Sequence, residues 1–197
     1  MSVLRHSPAA ERNRGAILSC LQALLNEAGR VLEIGAGTGQ HAVYFSAQLP
    51  GIRWQPTDTP AALPDLAARI DAEGPDNCAA PLALSVCDAE WPGKEYDAVF
   101  TANTLHIISA AEVECLFAGV GRVLAPGGRL LIYGPFRYAG EYTAPSNAAF
   151  DRSLRARDPD SGIRDFEARQ RLAEQQGLVL IEDYAMPANN QLLVWRR

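Results

Sequence analysis

The amino-acid sequence predicts an α/β protein with a Rossmann-like, doubly wound, mainly parallel sheet closed by a C-terminal antiparallel hairpin. Three observations carry this. Short apolar runs alternate with helix-period segments from Arg30 onward, the pattern of a parallel sheet with helices on both faces once crossovers take their usual right hand. The first run feeds Gly35-Ala36-Gly37-Thr38-Gly39, a glycine loop that opens a helix. The last two runs are separated only by Ala185 to Asn190, too few residues for a crossover helix, so they pair antiparallel. The 197 residues, 48% of them hydrophobic, show no linker or repeat. They read as one domain over 1–197, with residues 1–28 as an N-terminal cap and residues 134–165 as a lid.

Each element follows from local chemistry. Ser7 followed by Pro8 starts a helix with an N-cap and a proline in its first turn. Ile17, Leu18, Leu21, Leu24 and Leu25 then recur at helical spacing, and Gly29 stops it. Arg30 to Ile34 is a strand. Thr38 to Gln48 is a helix with Ala42, Phe45, Ser46 and Leu49 on one face. Ile52 to Thr57 is a strand ending at Asp58, Ala61 to Glu73 a helix, and Pro81 to Val86 a strand. Tyr96 to Ala102 is a strand and Ala110 to Leu124 a helix, which Pro126-Gly127-Gly128 breaks before the strand Arg129 to Tyr133. Gly134 to Pro145 reads as a loop. Ser146 to Arg157 and Asp165 to Gln176 are helices, and Leu178 to Asp183 and Gln191 to Trp195 form the hairpin.

Composition narrows the partners. With a formal charge of -5 and no basic run, the chain offers little counterion release, so a nucleic-acid partner is not expected. No apolar run approaches the ~20 residues of a membrane span, and Met1 to Arg14 lacks the apolar core of a signal peptide. Cys20, Cys78, Cys87 and Cys115 are widely spaced without a CxxC pair, so no metal site is expected and all four read as buried free thiols. A cytoplasmic location and a small-molecule substrate fit these features.

The glycine loop sits where ligands bind in open α/β sheets. The dinucleotide fingerprint places a third glycine at the sixth position; here Gln40 stands there and the third glycine comes one residue early. Asp58 follows Gly35 by 23 residues at a strand end, the place from which a carboxylate accepts two ribose hydroxyls; the alternative is a surface cap. Asp88, after the third strand, either accepts from an exocyclic amine or is a helix-capping or solvated aspartate.

In combination these residues resemble class I S-adenosylmethionine-dependent methyltransferases. The likeness rests on Glu33-x-Gly35-x-Gly37-x-Gly39, the acid ending the second strand, Asp88 after the third and Asn103 closing the fourth. Leu124 to Tyr133, entering the fifth strand, adds to it. A narrower resemblance is to methyltransferase-like proteins of unknown function found in bacteria and animals. It is carried by Ala10 to Asn13, Gly39 to Ala42, Trp54 to Asp58, Tyr133 to Phe136, Ser146-Asn147 with Phe150-Asp151, Arg164-Asp165 and Met186 to Asn190. The resemblance implies S-adenosyl-L-methionine as cofactor, with Glu33, Gly35, Gly37, Asp58, Asp88 and Asn103 as its binding residues, and methyl transfer to a small molecule as the activity. A non-catalytic binding module and an NAD-dependent oxidoreductase are the competing classes, the latter opposed by the misplaced glycine and the terminal hairpin.

Chemistry beyond the cofactor is less specified. His106 lies past the fourth strand, where a general base would stand, or is hydrogen-bonded into its loop. His41 reads as structural or cofactor-adjacent. Asn147, Asp151 and Arg155 share one helix face at i, i+4 and i+8, as a pocket lining or a solvated stripe. Glu11, Arg12 and Asn13 on the first helix are candidates for contacting substrate, or ordinary surface charge. Asn103-Thr104-Leu105-His106 differs from the Asn/Asp-Pro-Pro-Tyr/Phe run of amino-methylating enzymes on nucleic acid, which leaves the accepting atom open.

Overall fold

The computed structural model describes residues 4–93 and 95–197. Among the described residues six α-helices and ten strands follow one another. They begin α1 (Pro8–Leu24), β1 (Arg30–Ile34), α2 (Gln40–Gln48), β2 (Arg53–Asp58), α3 (Leu63–Glu73) and β3 (Leu82–Ala83). Next come β4 (Tyr96–Ala102), α4 (Ala110–Val123), β5 (Leu124–Gly134), β6 (Phe136–Tyr138) and β7 (Glu141–Tyr142). The chain closes with α5 (Pro145–Arg157), β8 (Arg164–Asp165), α6 (Phe166–Gln175), β9 (Val179–Met186) and β10 (Asn190–Arg196). Seven strands form one sheet in the order β3-β2-β1-β4-β5-β10-β9. The first five of that order run parallel, and β10 pairs antiparallel with both β5 and β9. This is the doubly wound sheet with its antiparallel terminal pair.

Strand alternation sorts the side chains into two cores, because successive residues point to opposite faces. Val31, Ala98, Phe100, Leu131, Tyr133, Leu192 and Val194 face one way and pack with Ile17 and Leu21 of α1 and Phe45 of α2. Leu32, Ile34, Val99, Leu130, Ile132, Leu193 and Trp195 face the other way and meet Val113, Leu116, Phe117 and Val120 of α4. The helix starts obey local rules. Ser7 Oγ accepts from Ala10 N at 3.3 Å, and Ser109 and Glu112 close a capping box at α4. Among the described residues no helix is long and apolar enough to cross a membrane.

Four expectations are corrected. The strand expected over Pro81 to Val86 is only Leu82–Ala83, because it is the sheet edge and pairs with Thr57 and Asp58 alone. Helices α2 and α3 begin two residues later than the periodicity suggests. The expected loop from Gly134 to Pro145 contains β6 and β7, which join β8 in a separate three-stranded sheet. The cysteines are not all free thiols: Cys87 and Cys115 form a disulfide, with Cα atoms 5.0 Å apart. The loop after β3 packs on α4 and brings together residues 28 apart in sequence, a proximity that no local spacing encodes. Cys20 and Cys78 are free.

The polar stripe of α5 is split: Asn147 and Asp151 are buried in hydrogen bonds off the cavity wall, and Arg155 reaches solvent. Asn147 donates to Thr143 Oγ1 at 2.8 Å and to the Asn189 carbonyl at 2.9 Å. Buried Asp151 accepts from Tyr142 at 2.8 Å, from Arg155 Nε at 2.9 Å and from the Ile163 N–H at 2.6 Å. Burial opposes its charge, but those donors outweigh burial and hold the carboxyl below its usual range. We expect Asp151→Ala to lower stability by ~2–4 kcal/mol in urea denaturation at neutral pH, since it strands three donors. A parental stability would show that these bonds contribute nothing.

Candidate functional site

A cavity of about 590 Å³ opens at the carboxyl edge of β1, β2 and β4. Its walls are the loop from Gly35 to Thr38, Gln40 and His41 of α2, Asp58 and Thr59, and the segment Ala102 to Ile108 without Leu105. Ser7, Ala9 and Ala10 at the start of α1 and Phe150 of α5 complete it.

The loop after β1 needs glycine for stated reasons. Gly35, Gly37 and Gly39 adopt φ values of 69°, 56° and 75°, a region L side chains rarely enter. A Cβ on Gly35 would lie 2.7 Å from Thr104 Oγ1, and one on Gly39 would lie 2.9 Å from Leu66 Cδ1. The Gly37 N–H donates to Asp58 Oδ2 at 2.6 Å, and the Thr59 N–H to Asp58 Oδ1 at 2.7 Å. The carboxylate is thus oriented by two backbone donors while each oxygen keeps a further acceptor position.

Gln40, at the position where the dinucleotide fingerprint has glycine, ties the chain start to this loop. Its Oε1 accepts from the Ser7 N–H and from Thr38 Oγ1, and its Nε2 lies 3.4 Å from Glu11 Oε2. This anchor was not singled out from sequence, although the unexpected side chain at a glycine position was the available clue. Asn103 has φ 59°, which asparagine tolerates better than most residues, and its N–H donates to the Tyr133 carbonyl at 2.9 Å.

His106 is 5% exposed and lines the cavity. Its ring meets Phe150 edge-on with centroids 5.3 Å apart. Burial, and then the Arg164 guanidinium, push its pKa down to about 4, so the imidazole is neutral at physiological pH. The loop that carries it is clasped from behind. Arg164 donates to the carbonyls of Leu105 at 2.9 Å, of Ile108, and of Asp160 at 2.7 Å. Ser161 Oγ donates to the Ile107 carbonyl at 2.6 Å and the Gly162 N–H to the His106 carbonyl at 2.9 Å. His41 also lines the cavity; its Nε2 lies 2.7 Å from Asn13 Oδ1, and it stacks on Phe45.

Several sequence-selected residues stand elsewhere. Glu33 is 1% exposed, off the cavity wall, and accepts from Trp54 Nε1 at 2.6 Å. Asp88 is exposed and closes a turn on the Ser85 N–H at 2.8 Å, away from the cavity. Glu11 pairs with Arg14, and Arg12 is exposed outside the cavity wall. Asn13 holds His41 and is off the cavity wall; Asp151 and Arg155 are bonded to each other, and Asn147 to Thr143 and to the Asn189 carbonyl.

The fold is that of class I S-adenosylmethionine-dependent methyltransferases. An O-methyltransferase family 2 protein from Planctomyces limnophilus, solved with apigenin, matches with a TM-score of 0.81 at 19% identity, over 96% of this chain and 58% of that one. Human N-acetylserotonin methyltransferase in complex with its cofactor matches with a TM-score of 0.75 at 16% identity, over 96% of this chain and 58% of that one. An O-methyltransferase family protein from Burkholderia thailandensis matches with a TM-score of 0.79 at 18% identity, over 93% and 58%. The chain therefore spans somewhat more than half the length of these neighbours. It belongs to the family described as "Protein of unknown function (DUF938)", whose model matches residues 4–197.

Glu33 supplies a test of the frame beneath the cavity. Burial raises its pKa from the ordinary 4.5 to about 7, against the Trp54 hydrogen bond and with a small push from Asp58. The folded state then holds a proton that the unfolded state releases, so parental stability declines as pH rises from 4.5 to 7. Glu33→Gln keeps the acceptor without titrating. We expect the variant to gain up to about 3 kcal/mol relative to the parent across that interval, read as urea midpoints at pH 4.5 and 7.5. A constant difference would mean that Glu33 is ionised in the folded protein.

Proposed function

We propose that this chain binds S-adenosylmethionine in the cavity and transfers its methyl group to a small molecule. The observation that supports this most is the convergence of the glycine loop, Asp58, Asn103 and His106 on one cavity at the carboxyl edge of the sheet. The residues fit the group. The glycine backbone lets a ligand approach, with open space where a Cβ of Gly37 would stand, and the Asp58 carboxylate at the rim suits a ribose diol. When bound, the cofactor supplies a methyl group on a sulfonium sulfur.

The chain's own contribution is placement and proton acceptance. Asp58 and the glycine loop hold the nucleoside end, Asn103 borders the middle, and α1 covers one side. These contacts fix the relative position of donor and acceptor, from which much of the rate gain arises. His106 faces the far part of the cavity as a neutral imidazole and takes the proton that the accepting atom loses. Its low pKa makes it a weak base but keeps it unprotonated over the whole physiological range.

Two measurements test this. Asp58→Ala removes charge-assisted bonds of ~1.5–3 kcal/mol each. Calorimetry should show binding of S-adenosylmethionine and its demethylated product to the parent, much weaker binding of NAD, and at least a ~tenfold loss in the variant. Tighter NAD binding by the parent would overturn the reading. Once an acceptor is in hand, His106→Ala should lower turnover by ~10²–10⁴-fold at nearly constant cofactor affinity. Because the depressed pKa keeps the base form down to about pH 4, the parental rate should not fall between pH 7 and 5 on account of this group; a break near ~6.5 that follows His106 would show that burial does not depress it.

A further inference from the structure

We propose that the part of the cavity beyond Asn103 takes a neutral, largely apolar acceptor, and that Ile107 and Phe150 set this preference. The inference names the substrate class of the site assigned above and relies on that assignment only for what fills the other end. Among the described residues few large apolar side chains are left in water, and two of them, Ile107 at 56% and Phe150 at 40% exposure, stand together on this cavity's wall. Exposed apolar area next to an open cavity favours an occupant that covers it, by roughly 25 cal/mol per Å².

Charge points the same way. Among the described residues no arginine or lysine lines the cavity, whose ionisable groups are Asp58, His41 and His106. Arg164, the cation behind the His106 loop, is spent on three backbone carbonyls. Arg155 is paired with Asp151, and Arg12 lies off the wall. A carboxylate or phosphate entering here would lose water without gaining a counter-charge, which is costly. A neutral O–H or S–H meets an acceptor, because the neutral imidazole of His106 stands on the cavity wall beside Phe150.

The experiment uses two probes of one shape, 2-naphthol and 2-naphthoate, at pH 7, where the first is neutral and the second an anion. Calorimetry is run on the protein alone and on the protein saturated with S-adenosylhomocysteine. We expect 2-naphthol to bind about tenfold or more tightly than 2-naphthoate, and Phe150→Ala and Ile107→Ser each to weaken 2-naphthol several-fold. S-adenosylhomocysteine affinity is measured on every variant, so a disturbed cofactor site is separable from a lost wall contact. Equal or tighter binding of 2-naphthoate, no binding of 2-naphthol to either form, or indifference of both variants overturns the inference. Failure of S-adenosylhomocysteine to bind would instead overturn the methyltransferase reading, while the naphthol comparison on the protein alone still judges the wall.

Discussion

A buried guanidinium holds the far side of the cavity in place. Arg164 is 9% exposed and forms no ion pair among the described residues; its bonds run to the carbonyls of Leu105, Ile108 and Asp160. A charge taken out of water this way is tolerated only when its donors are used, and the planar fork of arginine can reach several carbonyls at once. Through those bonds β8 and the three-stranded sheet are fastened to the loop that follows β4. The seven-stranded sheet supplies a rigid edge, but the orientation of His106, Ile107 and Ile108 along that edge depends on this clasp.

The clasp also links the two chemical ends of the cavity to different parts of the chain. The end bounded by the glycine loop is local, with Gly35 to Asp58 forming it inside one strand-helix-strand unit. The opposite end is lined by the β4 loop and by Phe150 of α5, with the segment 158–164 bonded behind that loop. Tyr138 extends the assembly, since its hydroxyl donates to Asp183 at 2.7 Å and fixes the small sheet to β9.

This division explains what sequence revealed and what it did not. Strands β1 and β4 were legible to the residue because they are short, mainly apolar runs buried on both faces. Asp58 and the glycine loop were legible because their chemistry depends on spacing within about two dozen residues. Asp151 was grouped with Asn147 and Arg155 on one helix face, yet its partners Tyr142 and Ile163 arrive by tertiary folding that helical periodicity cannot report. Strands β6, β7 and β8 are too short to show a period and form by pairing in one small sheet. Glu33 carried a familiar motif position, but its bond to Trp54 depends on the register of β1 against β2. An acid inside an otherwise apolar strand was the available hint.

The Cys87–Cys115 cross-link closes a 28-residue loop that encircles all of β4 and the turn bearing His106. A covalent ring of this size acts mainly on the unfolded chain, whose lost freedom corresponds to about 3.5 kcal/mol in the chain-entropy picture. In that picture the cross-link limits how far the denatured ensemble can spread, while neither of its cysteines stands on the cavity wall.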